Sequence, residues 1–125
     1  MIDKREFLDN TIQQVRALDI SLIIGSYIPL TRKGRSYLGL CPFHNDTKLG
    51  SFVVTPHKGI FKCFTCDGVA GDAIKFVSLY RGVNYVEATF QIALEYGVIN
   101  SQEYEEFFSR KRYSAKDVAK IERKY

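Results

Sequence analysis

Apolar side chains recur every three or four residues at the start of the chain, which is the spacing of one face of an α-helix. Leu8, Ile12 and Val15 have this spacing and predict a helix over residues 3–18. The apolar stretch 20–25 predicts a second, short helix that ends near a glycine. The chain therefore begins with helical structure.

After residue 27 the pattern changes to short runs of β-branched and aromatic side chains between turn residues. These runs predict four strands, at about 28–32, 35–40, 51–55 and 60–63. Glycine-containing turns at 33–35 and 56–59 indicate hairpins, in which neighbouring strands are antiparallel.

Two more helices are predicted after the strands. Asp72 or Gly71 can cap the first helix, whose apolar stripe contains Ala73, Phe76, Val77 and Tyr80. Asn84 and Glu87 have the spacing of a capping box at the start of the second helix. The predicted fold class is α+β, with a small antiparallel sheet and flanking N- and C-terminal helices.

Residues 101–125 have a different composition, with dense charge and few apolar side chains. We expect residues 1–100 to form one domain and residues 101–125 to form a charged helical linker or tail. The mixed-charge N-terminus does not resemble a signal peptide, and no stretch approaches the roughly 18–20 apolar residues of a membrane span. These features predict a cytoplasmic protein without a membrane partner.

Positive charge is concentrated in the middle of the chain. The whole sequence has a net charge of +4, whereas residues 28–66 alone contain six basic and one acidic side chain. Residues 1–27 and 67–100 are both net acidic. A cationic segment between acidic ones predicts a polyanionic partner such as nucleic acid.

The three cysteines and one histidine of this segment form two pairs with the spacing of metal ligands. Cys41 and His44 enclose two residues, and so do Cys63 and Cys66. Two such knuckles can supply the tetrahedral nitrogen and sulfur ligands that Zn²⁺ prefers. Because four protein ligands leave no position for water, the predicted zinc is structural and not catalytic. His57, in a predicted turn, is the alternative fourth ligand.

Basic and aromatic side chains are interleaved within residues 28–66. Basic groups neutralise phosphates and aromatic rings stack on unpaired bases, so this pattern is typical of a surface for single-stranded nucleic acid. Some of the rings, Phe52 and Phe61 among them, could instead belong to the core. The candidate nucleic-acid-binding residues are Lys33, Arg35, Tyr37, Lys48, Lys58, Phe61, Lys62 and Phe64.

Several of these segments together resemble the zinc-binding domain of bacterial DnaG-type primases. The resemblance covers about residues 3–99 and rests on Cys41-Pro42-Phe43-His44, Ser51-Phe52, Lys62-Cys63-Phe64-Thr65-Cys66 and Gly71-Asp72. One departure is the stretch Thr47-Lys48-Leu49-Gly50, which is one residue longer than the family's pattern and has no proline.

The resemblance implies a zinc ribbon-like sheet that binds single-stranded template DNA for RNA primer synthesis. It also implies two partners, a TOPRIM-type RNA polymerase domain in cis or in trans and a replicative helicase. The chain has no cluster of acidic residues suited to hold Mg²⁺ for nucleotidyl transfer, so we expect no catalytic site in it. The alternative is a free-standing zinc-ribbon module, for example of a mobile element, that binds DNA or protein without primase activity.

Overall fold

The computed structural model describes residues 4–44, 50–65 and 69–110 of the chain. These residues form five α-helices, α1 (Lys4–Arg16), α2 (Ile20–Gly25), α3 (Ala73–Arg81), α4 (Tyr85–Glu95) and α5 (Ser101–Arg110). They also form five strands, β1 (Thr31–Lys33), β2 (Ser36–Gly39), β3 (Phe52–Thr55), β4 (Ile60–Cys63) and β5 (Ala70–Gly71). In this described part of the chain, no helix is both long and apolar enough to cross a bilayer.

The five strands make one antiparallel sheet in which each strand pairs with the next along the chain. The predicted α+β class, with a small antiparallel sheet and flanking helices, is therefore confirmed. By their contacts the described residues divide into two compact units, one from the range 16–82 and the other from the ranges 1–15 and 83–125.

Glycines at two turns allow the hairpins of the sheet to form. β1 and β2 are joined by a two-residue loop in which Gly34 has a φ of 65°. A short 3₁₀ helix, Pro56–Lys58, joins β3 to β4 and ends at Gly59 with a φ of 64°. Residues with a side chain adopt these positive φ values only at a steric cost, so glycine favours both turns.

The unit formed by residues 16–82 has an aromatic core between α3 and one face of the sheet. Phe52 and Phe61 stack across β3 and β4 with ring centroids 5.6 Å apart. The ring of Phe76 on α3 meets Phe61 edge-on, at 5.6 Å and an interplanar angle of 87°. All three side chains are fully buried, so this cluster is the centre of the unit.

The other unit has its own aromatic contacts, which involve α1, α4 and α5. The ring of Phe90 lies 4.5 Å from Phe107 and 5.9 Å from Phe7, measured between centroids. At the start of α5, Asn100 and Glu103 form a reciprocal capping box. The Glu103 N–H donates to Asn100 Oδ1 at 2.8 Å, and the Asn100 N–H donates to Glu103 Oε1 at 3.1 Å.

Some elements differ from those predicted. β1 begins at Thr31 and not at residue 28, and the two-residue strand β5 was not predicted. Tyr80, expected in the apolar stripe of α3, is 45% exposed. Residues 101–110 are helical, whereas 111–125 lie outside the described residues, and the domain boundary at residue 100 stays a prediction.

Replacement of Phe76 by alanine should destabilise the zinc-loaded chain by about 3–5 kcal/mol, because the change removes a buried ring and leaves a cavity. Leu79→Ala, on the exposed side of the same helix, is the matched control and should cost less than about 1 kcal/mol. Guanidinium denaturation followed by circular dichroism measures both free energies of unfolding. Equal destabilisation by the two variants would contradict the placement of Phe76 in the core.

Candidate metal centre and nucleic-acid interface

Strand register brings the two halves of the predicted metal site to the same end of the sheet. Gly39 at the end of β2 pairs with Phe52, and Phe52 pairs on its other side with Cys63 at the end of β4. Cys41 follows Gly39 by two residues, so its thiol comes close to that of Cys63. Both cysteines are buried.

The ligand atoms of Cys41, His44 and Cys63 all lie within 4.8 Å of one another. His44 Nδ1 is 3.7 Å from Cys63 Sγ. Zinc bonds of about 2.3 Å to sulfur and 2.0 Å to nitrogen, at a tetrahedral angle, place two ligand atoms roughly 3.6 Å apart. The separation of His44 from Cys63 matches this spacing, and the Cys41 thiol lies close enough to bind the same ion.

Main-chain hydrogen bonds hold the second knuckle beside the sheet. The Cys63 N–H donates to the Val69 carbonyl at 3.0 Å, and the Phe64 N–H donates to the Ser51 carbonyl at 2.7 Å. These bonds fix the backbone on either side of the Cys63 side chain. The donor set of soft sulfur and imidazole nitrogen suits Zn²⁺ better than Mg²⁺ or Ca²⁺, which prefer oxygen.

The structure brings together three of the four predicted ligands, while Cys66 lies outside the described residues and stays a prediction. The alternative ligand, His57, is in the 3₁₀ helix that follows Thr55, at the opposite end of β3 from Phe52 and Cys63. His57 is therefore too distant to complete the site. Among the described residues, the metal cluster contains Cys41, His44 and Cys63 alone.

One residue beside the cluster was not singled out from the sequence. Thr65 Oγ1 lies 3.4 Å from Cys63 Sγ and 3.3 Å from His44 Nε2. No sequence pattern distinguishes this threonine from other polar residues, because its contact with His44 joins two segments that meet only in the fold.

The candidate nucleic-acid contacts fall on two sides of the sheet. Lys62 pairs with Val53 across β3 and β4, and its side chain points away from the buried face. We call this solvent-facing side, which carries Ile60, Lys62 and Phe64, the open face. Lys33 pairs with Ser36 on the same side of the sheet and is exposed.

Lys62 and Phe64 form a cation–π contact at the metal end of the open face. The Lys62 ammonium lies 5.1 Å from the centre of the Phe64 ring, which is 65% exposed. A cation and an exposed ring are thus adjacent on the open face.

Tyr37 lies on the other side of the sheet, because it pairs with Val54 and Arg32. Together with Arg35 it lines a depression of about 390 Å³, whose other lining residues are Asp19, Ser21, Arg32, Pro56 and His57. Arg32 and His57 were not among the predicted nucleic-acid contacts. Their proximity to Arg35 depends on the fold and not on a sequence motif.

The assignment of Phe61 as a base-stacking residue is corrected by the structure. Its side chain is 0% exposed and packs between Phe52 and Phe76, so its ring has no face available to a base. Residues opposite one another across strands share a face, and Phe61 pairs with the buried Val54. Lys58 is exposed in the 3₁₀ helix, and Lys48 lies outside the described residues.

Comparisons with known proteins agree with the metal site. A family model described as CHC2 zinc finger matches residues 5–107. The DNA primase of Aquifex aeolicus (strain VF5) is 51% identical over 82 residues, which are 66% of this chain and 16% of that protein. The DNA primase of Geobacillus stearothermophilus is 45% identical over 91 residues, which are 72% of this chain and 15% of that protein.

A solved structure gives the same result for the fold. The crystal structure of the Aquifex aeolicus primase, with its zinc binding and RNA polymerase domains, matches with a TM-score of 0.65 and 49% identity. The match covers 70% of this chain and 21% of that one. The chain thus spans about one sixth of the length of the curated relatives it matches. The donor set, the CHC2 zinc finger family and the matched zinc-binding domain all indicate that the cofactor is zinc.

Removal of zinc by a chelator should disorder residues 28–66. Structural zinc contributes an apparent 10–16 kcal/mol or so in zinc-finger peptides, about as much as the whole stability of a typical domain. Cys63→Ala should have the same effect, and metal analysis should show about one zinc per parent chain. Amide NMR spectra before and after chelation measure the loss of order, and re-addition of zinc should restore the parent spectrum. Unchanged amide shifts after complete zinc removal would contradict a structural role.

Proposed function

Because the chain belongs to the CHC2 zinc finger family and corresponds to the zinc-binding part of DNA primases, we propose that it binds single-stranded template DNA and positions it for RNA primer synthesis. The observation that carries this proposal is the adjacency of Lys62 and Phe64 on the open face. The zinc ion stabilises the strands that hold these side chains and takes no part in chemistry, since the predicted site is closed.

The open face offers the two kinds of contact that a single strand requires. Phe64 presents an exposed aromatic ring on which a base can stack, and every base has such a face. The Lys62 ammonium, beside that ring, is available for the phosphate of the same nucleotide. Stacking together with phosphate contact supports binding of a single strand over a duplex, whose bases are already stacked.

Further positive charge supports the electrostatic part of the proposal. Lys33 and Lys58 are exposed at the two hairpins, and Lys48 belongs to the same cationic segment of the sequence. The net acidic segments 1–27 and 67–100 would disfavour binding of a polyanion to those parts of the chain. A strand bound to this surface would release counterions, so its affinity would depend strongly on salt.

The proposed partners follow from the proteins to which the chain is similar. The matched relatives are DNA primases, and the matched Aquifex structure includes RNA polymerase domains. We therefore propose that an RNA polymerase domain of the TOPRIM type, in cis or in trans, receives the template, with a replicative helicase in the same assembly. The cytoplasm is the compartment in which we expect this assembly.

Phe64→Ala should weaken binding of a labelled oligothymidylate about tenfold, because stacking of one base is worth about 1–3 kcal/mol. Lys62→Ala should weaken binding and lower the slope of log affinity against log salt by about one. Fluorescence anisotropy of the zinc-loaded chain over a salt series measures both effects. Leu22→Ala is the matched control for Phe64→Ala, because it removes an exposed apolar side chain from a helix. Arg5→Ala is the matched control for Lys62→Ala, because it removes an exposed cationic side chain from a helix.

Parent-like affinity of both open-face variants, or binding that does not change with salt, would overturn the proposal. A second measurement separates the primase role from the alternative of a free-standing zinc-ribbon module. The chain should increase primer yield when it is added to the isolated polymerase domain of a related primase. DNA binding without any such increase would favour the free-standing module.

A further inference from the structure

We infer that the depression beside the β1–β2 hairpin is a phosphate-binding site, separate from the open face. This inference rests on the proposed function and adds a second class of contact to it. Two guanidinium groups, of Arg32 and Arg35, line the depression together with His57 and the Tyr37 hydroxyphenyl group. Guanidinium, imidazole and phenol groups are all hydrogen-bond donors to phosphate oxygens.

The arrangement of the strands explains why these donors converge. Arg32 and Tyr37 form a cross-strand pair, so their side chains lie next to each other on the same side of the sheet. The two-residue loop places Arg35 beside this pair, and the Arg32 Nε–H donates to the Gly34 carbonyl at 3.2 Å. His57 reaches the depression from the 3₁₀ helix between β3 and β4.

The charge balance of the depression favours an anion. Its carboxylate, Asp19, already accepts hydrogen bonds through Oδ1 from the Ser21 N–H at 2.9 Å and the Ser21 hydroxyl at 2.7 Å. Two guanidinium groups against one carboxylate leave a net positive charge. A volume of about 390 Å³ is within the usual range of small-ligand sites, so the depression can hold a phosphate and part of the attached sugar.

The shared ligand chemistry is a phosphate group, which can be the terminal phosphate of a strand or an internal phosphodiester. NMR titration of the zinc-loaded chain with inorganic phosphate, with 5′-phosphorylated oligothymidylate and with its 5′-hydroxyl counterpart distinguishes these sources. All phosphate-bearing probes that bind should shift the amides of residues 32–37 and 57. Tighter binding of the 5′-phosphorylated strand identifies a terminal site, and equal binding of the two strands identifies an internal one.

Arg32→Ala and His57→Ala should each weaken binding of the preferred probe about tenfold, because charge-assisted hydrogen bonds are among the stronger ones. Arg5→Ala is the matched control for loss of charge. Lys62→Ala should leave binding of inorganic phosphate at the depression unchanged, which separates this site from the open face. The inference is overturned if no probe shifts these amides, or if Arg5→Ala weakens binding as much as Arg32→Ala does.

The contacts of Thr65 carry a second, independent inference about the metal centre. We propose that Thr65 is a positioning residue that fixes which nitrogen of His44 binds zinc. His44 Nδ1 lies 3.7 Å from Cys63 Sγ, while Nε2 lies 3.3 Å from the Thr65 hydroxyl. A metal-bound histidine commonly donates its second ring N–H to such a neighbour, which fixes the ring's orientation.

In this arrangement His44 Nε2–H donates to Thr65 Oγ1, and the Thr65 hydroxyl donates to Cys63 Sγ, 3.4 Å away. One hydroxyl thus connects two ligands of the same ion. Loss of the hydroxyl would leave the imidazole freer to rotate and would lower the affinity for zinc.

Thr65→Val removes the hydroxyl at nearly constant volume and should raise the zinc dissociation constant about tenfold, a typical effect of losing such a neighbour. Thr65→Ser retains the hydroxyl and should bind zinc like the parent. Competition with a chelator of known affinity measures the constants, and Thr31→Val on the exposed strand β1 is the matched control. Long-range ¹H–¹⁵N NMR of the loaded parent should show a protonated Nε2 on His44. Parent-like zinc affinity of Thr65→Val, or zinc bound through Nε2, would overturn the proposal.

Discussion

The register of β2, β3 and β4 is the constraint on which the metal centre depends. The aligned residues Gly39, Phe52 and Cys63 bring the end of β2 and the end of β4 to the same end of β3. Only then can the two knuckles that follow these strands share one ion. A slip of one residue would reverse the faces of a strand and would move Cys63 out of the buried side. Zinc binding and correct strand pairing therefore stabilise each other.

The same register divides the sheet into a buried and an exposed side. Phe52 on β3 and Phe61 on β4 face α3 and fill the core. Lys62 on β4 and Phe64, just after that strand, face solvent. Burial of one face holds the strands rigid, so that the charged and aromatic groups on the opposite face keep fixed positions. The β1–β2 hairpin adds the depression beside Arg32. This depression lies on the same side of the sheet as the buried face.

Features that depend on local spacing could be predicted from the sequence. The pair Cys41 and His44 needs only a two-residue gap, and the hairpins need only glycine at the turns, so the metal site and the α+β fold were both predictable. The burial of Phe61 could not be predicted, because it depends on which residue of β3 pairs with it across the strands. The depression was not predictable either, since Arg32 and His57 are 25 positions apart and meet only through the fold. The strand β5 has two residues, too few to show an alternating pattern.

We propose that one closed zinc site, made of sulfur and nitrogen ligands, organises the surface proposed for nucleic-acid binding. X-ray absorption spectroscopy of the zinc-loaded full chain counts these ligands by element and distance. We expect three sulfur atoms at about 2.3 Å and one nitrogen at about 2.0 Å, with Cys66 as the third sulfur ligand. A spectrum with a water or carboxylate oxygen in the first coordination shell, or a chain that binds no zinc, would contradict it.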